Sequence, residues 1–461
     1  MKSKIKVPHT LIILFSMVII AQIMTYVIPS GSFDRVETEA GRMQVLPGSF
    51  HLTPDTPLVP IWASLTAVPR GFGAAQEIIF FALIIGGTFA ILRASGAVDA
   101  GMRSLLERWG DRPFLIIAGG VTLFAVGSSS IGFGEEYFPF LPVLITMCLA
   151  LGYDRVTAVA IIMVGYGAGF GAALYNPFTT MIAQDIAGLE PMSGMWFRAV
   201  MFFVFVPIGI HHVWSYAKKV KNDPSASLVA DIDFPGAVSL DDDDDQTFTT
   251  THKWILSFVG LAVAIMTYGL SKLGWYLNEM GAVFIGLSIV IAIVARISPD
   301  KAATAFGTGA ASLTSVALLI GVARAIQIVL TDGGIVDAVI NGISLPLQEL
   351  PAMVSAIGMF FVQSIANFFI PSGSGQAFVT MPVMAPLADL VGVNRQVAVL
   401  AFQYGDGFSN IFIPTQYVLL GMLAIGGVPY DRWLKFIMPF MVKVVIAGSA
   451  SLAIAVLIDY S

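Results

Sequence analysis

Charge is what this chain has least of. Asp, Glu, Lys and Arg make up 12% of its 461 residues, where a soluble protein needs roughly 25% to keep its surface wet. So little polar area cannot cover a water-exposed body, which excludes a soluble enzyme or a secreted module. Cysteine is almost absent. Cys148 stands alone, which excludes a disulfide framework and a zinc ribbon. The net charge of −6 includes the acidic run Asp241–Asp245, and no basic patch suits nucleic acid. No Gly-Lys-Ser/Thr follows any glycine cluster, so there is no phosphate loop. His211 and His212 lack acidic or cysteine company at metal spacing, so no metal site is assigned. Beside Trp214 and Tyr216 they are expected as interfacial anchors. Nothing resembles a hydrolytic triad or another nucleophile–base pair, and no cofactor is expected.

What is present is apolar length. Hydrophobic residues reach 56% and the mean hydropathy is +0.82. A helix needs about 20 predominantly apolar residues to cross a bilayer. Weakly charged runs lie at Val7–Phe33, Ile78–Leu92, Pro113–Gly134, Tyr137–Tyr153, Val156–Gln184, Ala199–Ala217, Trp254–Ser271, Met280–Ala295, Ala302–Ala323, Leu350–Ala388, Gly407–Tyr430 and Val444–Ile458. Lys2, Lys4 and Lys6 precede the first run, and no small-x-small cleavage site follows it. It is expected as a retained signal anchor. The polar connections are Asp34–Gln76, the amphipathic Val98–Arg112, and Lys218–Lys253, which reads as a flexible linker. Placing the N-terminus, Val98–Arg112 and the linker in the cytoplasm puts about 16 of the 24 basic residues inside.

The two halves echo each other at an offset of about 240 residues, as transporter repeats do. Gly96-Ala97-Val98-Asp99 answers Gly334-Ile335-Val336-Asp337, and Gly132-Phe133-Gly134-Glu135 answers Gly373-Ser374-Gly375-Gln376. Pro142 answers Pro382, and Gly152-Tyr153-Asp154-Arg155 answers Gly392-Val393-Asn394-Arg395. Tyr166-Gly167-Ala168-Gly169-Phe170 answers Tyr404-Gly405-Asp406-Gly407-Phe408, and Asn176-Pro177 falls opposite Ile413-Pro414. An extra span at Trp254–Ser271 makes the second repeat enter from the opposite side. The predicted organisation is a first membrane repeat over 1–217, with a hairpin at about 113–153 and a broken helix at about 156–187. A cytoplasmic linker follows over 218–253. Residues 254–461 hold the extra span and an inverted second repeat, its hairpin at about 350–391 and its broken helix at about 394–424.

Polar, glycine-rich centres interrupt both long hairpin segments. Irregular backbone survives at membrane depth only beside protein or a water-filled cavity. Two re-entrant hairpins whose tips meet are therefore expected, against the alternative of ordinary helix pairs turning at the surface. The first tip holds Ser128, Ser129, Ser130, Gly132, Gly134, Glu135 and Glu136. The second holds Asn367, Ser372, Gly373, Ser374, Gly375 and Gln376. The breaks at Asn176-Pro177 and at Asp406, Asn410, Pro414 and Thr415 free carbonyls that serve as ligands in broken helices. Gly167 and Gly169 are more simply explained by close helix packing. Ser372-Gly373-Ser374-Gly375 opens a helix with bare N–H groups, an anion-friendly end. Glu135, Glu136 and Asp406 are the candidate ion-coupling residues, since carboxylates at membrane depth are costly and usually functional. Arg324 is expected either to hold a substrate carboxylate or to pair with one of these acids.

At these motifs the chain resembles the YfcC branch of the C4-dicarboxylate anaerobic carrier (DcuC-type) family, within the ion transporter superfamily. The residues that carry the likeness are Gly132-Phe133-Gly134-Glu135-Glu136, Tyr175-Asn176-Pro177-Phe178, Pro371-Ser372-Gly373-Ser374-Gly375-Gln376 and Gly405-Asp406-Gly407-Phe408-Ser409-Asn410. The resemblance implies an all-α polytopic membrane protein with the superfamily's inverted repeat, two re-entrant hairpins and two broken helices. It further implies a homodimer in the cell inner membrane, an elevator-like cycle, and coupling to sodium or protons. The superfamily's divalent-anion sodium symporters carry Ser-Asn-Thr at both tips. Here Ser-Ser-Ser and Ser-Gly-Ser-Gly stand there, with Glu135 and Glu136 close by. Basic amino-acid exchangers are known among relatives of the branch, and an acidic tip fits them. The expected function is secondary active transport of a small carboxylate-bearing metabolite, an amino acid ahead of a C4-dicarboxylate. A channel or a membrane-embedded enzyme is the less favoured class.

Overall fold

The computed structural model describes residues 10–37, 43–98, 100–101, 104, 112–138, 140–232, 248–269, 273, 275 and 277–461. Lys2, Lys4 and Lys6, most of Val98–Arg112 and the run Asp241–Asp245 lie outside the described residues. Lipid offers backbone groups no hydrogen-bonding partner, so apolar segments close their bonds within helices; 75% of the described residues are helical. Among the described residues five helices are long and apolar enough to cross a membrane: Pro113–Ser130, Met195–Asn222, Leu277–Val294, Ala352–Phe369 and Tyr430–Leu457. Two bent pairs extend the set. Ala63–Ala74 and Ile79–Ala94 meet at 56°, and Pro299–Ser312 and Ala317–Asp332 meet at 42°. The chain is a multi-pass membrane protein.

One order of elements occurs twice. The first half runs through Thr10–Val27, a bent pair, a hairpin (Pro113–Ser130 and Phe140–Ala150), a broken rod (Arg155–Gly171 and Thr180–Ile186) and the long helix Met195–Asn222. The second runs through Leu277–Val294, a bent pair, a hairpin (Ala352–Phe369 and Gly373–Leu390), a broken rod (Arg395–Ser409 and Tyr417–Ile425) and the long helix Tyr430–Leu457. Thr250–Tyr268 stands between them. The helices pack in two groups, each drawn from both halves. The hairpins, rods and long helices form one, and the remaining spans form the other. The groups meet chiefly where Tyr417–Ile425 lies against Thr314–Asp332 and where Gly373–Leu390 touches Met43–Val45.

Extended structure is confined to a small excursion. Gly31–Ser32 pairs antiparallel with His51–Leu52, and Arg35–Glu37 with Met43–Val45. It is tied to the second half by the Gly31 N–H donating to the Gly334 carbonyl at 3.0 Å and by Arg35 paired with Asp337 at 2.8 Å.

The structure departs from the sequence reading in three places. Part of the polar connection Asp34–Gln76 is the helix Ala63–Ala74. Its buried face is Ala63, Ser64, Ala67 and Gly71, and a methyl group at Gly71 would strike the backbone of Gly321. Small-residue packing brings helices together without raising hydropathy, so the segment looks polar. Secondly, the segment read as a flexible linker, Lys218–Lys253, is structured at both ends. Met195–Asn222 carries the helix through Lys218, Thr250–Tyr268 begins before Lys253, and Asp223–Ile232 docks. There Ser227 donates to Asp154 at 2.6 Å, Arg432 donates to the Leu228 carbonyl at 3.1 Å, and Val229 is buried in the main core. Its short apolar stretch Leu228–Ile232 supplies the area that an acidic tail lacks. Thirdly, His212 is no interfacial anchor. It is buried between Phe436 and Phe440, with Nε2 2.9 Å from the Phe436 carbonyl oxygen.

Candidate functional site

The two rods run antiparallel, since the start of each meets the end of the other: Arg155 donates to the Gly427 carbonyl at 3.0 Å and Arg395 to the Ala187 carbonyl at 2.8 Å. They cross at glycines. A methyl group on Gly407 would overlap the backbone of Phe170 and Gly171, and one on Gly171 would overlap the Phe408 ring. Gly167 lies against Ile411, and Gly169 against the Ala125 backbone of the first hairpin. Close approach, rather than a ligand, explains these glycines.

Each hairpin is tied to its own half's break by the same device, a polar side chain from the arm that precedes the tip. In the first half the Leu174 N–H donates to Ser129 Oγ at 3.0 Å, and Asn176 Nδ2 donates to the Ser128 carbonyl at 3.3 Å. Asn176 Oδ1 then accepts from the Phe178 N–H at 2.9 Å. In the second half Asn367 Nδ2 donates to Asn410 Oδ1 at 2.7 Å and to Ser409 Oγ at 2.7 Å. Gln416 Nε2 adds a bond to Asn410 Oδ1 at 2.8 Å. These bonds tie each irregular stretch to the hairpin of its own half.

Hairpin tips and breaks converge on one cavity of about 570 Å³. Of the residues singled out in the sequence, Gly132, Gly134, Glu135, Glu136, Ser372, Gly373, Ser374, Asn410, Thr415 and Arg324 line it. Glu135 accepts a hydrogen bond from the Tyr417 hydroxyl at 3.1 Å, and Glu136 accepts one from the Gly134 N–H at 2.7 Å. Ser372 caps Gly373–Leu390, its Oγ accepting from the Gly375 N–H. Arg324 donates to Gln327, which lines the same cavity. Carboxylates and a guanidinium thus share one enclosure.

The other singled-out residues are not part of this lining. Ser128, Ser129, Asn176 and Asn367 make the ties just described. Ser130 bonds back to the Val126 carbonyl at 2.5 Å, Pro177 is exposed, Gly375 packs on Ser372, and Gln376 bonds to Gln363. Asp406 is 0% exposed and lies beneath Gly373, whose added methyl group would come 3.0 Å from Asp406 Oδ2. Neither of its carboxylate oxygens makes a hydrogen bond of ordinary geometry among the described residues, although the Asn410 side chain bears on the group, and Thr179 Oγ1, Asn367 Oδ1, Gln376 Oε1 and Thr415 Oγ1 likewise make none. Buried polar atoms are normally paired. A buried carboxylate left in this state is what a cation or a proton would satisfy. Tyr417, Thr179, Trp275 and Gln327 also line the cavity and were not singled out. Thr179 and Tyr417 directly follow the two breaks, a signal that could have found them. Trp275 stands between two spans, with no local cue.

Comparison with known proteins places this chain in a family. The model of the C4-dicarboxylate anaerobic carrier family matches residues 7–457. The chain is 32% identical over 466 residues to an Escherichia coli (strain K12) protein named "Putative basic amino acid antiporter YfcC", covering 93% of this chain and 92% of that one. It is 31% identical over 386 residues to a protein of Haemophilus influenzae, covering 83% of this chain and 76% of that one. Among solved structures, the YdaH transporter of Alcanivorax borkumensis superposes with a TM-score of 0.42 at 14% identity, covering 98% of this chain and 99% of that one. With a family model spanning nearly its whole length, this chain belongs to the C4-dicarboxylate anaerobic carrier family.

Proposed function

We propose that the protein is a secondary active transporter of a small metabolite bearing both a carboxylate and a cationic group, a basic amino acid above all. The observation that carries this reading is the mixed charge of the cavity. Glu135 and Glu136 line one part of it, and Arg324 with the capped helix start Ser372–Ser374 lines another. Opposite charges far outside water bind a dipolar ligand whose ends match them, whereas a dicarboxylate would face two like charges. The relative named for basic amino acid antiport fits the same substrate class.

Asp406 takes the coupling role in this scheme, with a sodium ion or a proton answering its carboxylate oxygens. An inverted repeat would support the cycle. With the N-terminus inside and both hairpins re-entrant, segments that fall on one membrane side meet in pairs, as Gly31 with Gly334, Arg198 with Tyr460, and Arg155 with Gly427. The helix group with both hairpins and rods is the moving body of an elevator, and the other group is its frame in a homodimer in the inner membrane. Both hairpins are then re-entrant, with the N-terminus and the segment after Ile232 cytoplasmic.

The test is ligand affinity. Binding of arginine and of succinate is measured in wild type, Glu135→Gln and Glu136→Gln across sodium and pH. Glu135→Gln should weaken arginine binding by about 1.5–3 kcal/mol, the scale of a hydrogen bond to a charged group, and leave succinate unchanged or improved. A wild type that binds succinate and ignores arginine overturns the amino-acid reading in favour of a C4-dicarboxylate carrier.

A further inference from the structure

The outer ends of the two broken rods are closed by a matching pair of arginines, each from the other half of the chain. The second arms of the rods, Thr180–Ile186 and Tyr417–Ile425, have 7 and 9 residues. Isolated helices below about 12–15 residues are marginal, because few bonds repay nucleation. Both arms end alike. Gly188 and Gly427 take positive φ of 70° and 57°, and the amides of Leu189 and Val428 donate back five residues, to the Gln184 and Leu423 carbonyls at 2.9 Å each. This closure leaves the terminal carbonyls of the arm without helical donors.

Those carbonyls are where the arginines arrive. Arg155, first residue of the first rod, donates to the carbonyls of Gly426 at 3.3 Å and Gly427 at 3.0 Å, at the end of the second rod. Arg395, first residue of the second rod, donates to the Ala187 carbonyl at 2.8 Å, at the end of the first. Each is preceded by its helix cap. Asp154 accepts from the Thr157 N–H and Asn394 from the Gln396 N–H, both at 2.9 Å. A cationic donor at a helix C-terminus also meets the negative end of its dipole. At its other end each arm abuts the cavity: Thr179 caps one, and Gln416 and Tyr417 begin the other.

We propose that Arg155 and Arg395 are reciprocal positioning residues. Each pins, from the opposite half of the chain, a helix arm too short to hold itself, and thereby fixes cavity side chains at the far end of that arm. The clamps are unequal. Arg155 is 5% exposed and reaches a third carbonyl, Ile232 of the docked segment, at 3.0 Å. The Arg395 side chain is 40% exposed and shares its donors with Asp389 at 2.6 Å. Arg155 is therefore the stronger clamp, and Tyr417–Ile425 the more tightly held arm.

The effect on ligand affinity rests on the cavity being the substrate site; the pinning does not. The test is hydrogen–deuterium exchange on the purified full chain, reading residues 180–188 and 417–427. In Arg155→Gln, exchange should rise about tenfold or more in 417–427, as for a lost hydrogen bond to a charged group, with 180–188 unchanged. In Arg395→Gln the pattern should reverse with a smaller rise. Arg155→Lys, which keeps one donor, should lie between wild type and Arg155→Gln and serves if Arg155→Gln does not fold. Arginine affinity should fall in step with exchange. Faster exchange in both arms, in neither, or only in the helix that carries the substitution overturns the proposal. A wild type that binds neither arginine nor succinate removes the substrate reading, while the exchange pattern still decides the clamps.

Discussion

The two hairpin tips are built to one plan and charged differently. The first turns through Ile131–Gly134 into a short 3-10 stretch at Glu135–Tyr137, and sets two carboxylates at the cavity wall. The second turns at Ile370–Ser372 straight into a capped helix and carries no charge. Its half holds its carboxylate one layer back, in the rod, where Asp406 is sealed beneath Gly373. A carboxylate at the wall can be reached by a ligand that comes and goes. A carboxylate behind the wall is reached only by something as small as a monovalent cation or a proton. In the proposed scheme, two tips of one plan let substrate binding and ion coupling lie a few side chains apart without competing for one group.

The strongest way to break this comparison is Asp406→Asn, which keeps the volume and deletes the charge. Uptake into liposomes should fall at least about a hundredfold, the scale on which one partner of a buried charge pair acts, and lose its dependence on sodium or pH while the protein stays folded. Uptake that keeps both rate and coupling would show that Asp406 is only a packing group.

Within the first tip the two acids should separate. Glu135→Gln should cost ligand affinity, about 1.5–3 kcal/mol for arginine, because this side chain is half-buried at the cavity wall, where it accepts from the Tyr417 hydroxyl. Glu136 is buried against the Gly134 N–H, so Glu136→Gln should appear in Tm more than in binding. Equal effects on binding would make the pair one site.

What the halves share is tested at the rod crossing. Gly171→Ala and Gly407→Ala put a methyl group into the same contact from opposite halves, and each should destabilise by about 1–3 kcal/mol, as overpacking does. Gly260→Ala, with no atom near the added methyl group, is the control and should leave Tm unchanged. The smallest effect is expected in the docked segment Asp223–Ile232. Ser227→Ala should lower stability by about 1 kcal/mol through its bond to Asp154, with ligand affinity unchanged.

Much of this was legible because membrane insertion leaves so few solutions. Polar and helix-breaking residues inside long apolar runs had to mark breaks, and Ser128 to Glu136, Asn176-Pro177, Pro371 to Gln376 and Asn410 to Thr415 all fall at tips or breaks. The division of the cavity's residues was not legible. Gln376 and Asp406 looked as open to a ligand as Ser374 and Asn410, because sequence spacing says nothing about which layer a side chain occupies. Ala63–Ala74 was missed because small residues pack helices without raising hydropathy, and the docking of Asp223–Ile232 because a handful of apolar residues sits beside an acidic run.

By itself the sequence determined that this chain lives in lipid and where polar, helix-breaking residues interrupt its apolar runs. Composition and periodicity are local properties, and a bilayer answers them with helices wherever no break intervenes. Only the tertiary structure decided that both tips and both breaks share one cavity, that Asp406 sits behind the wall that Glu135 occupies, and that Arg155 and Arg395 each close a helix of the other half. These arrangements join residues more than 200 positions apart, as Arg155 and Gly427 are, and no local propensity encodes a contact between segments that distant. They follow from how two antiparallel rods cross at glycines, and that crossing exists only once both halves have folded together.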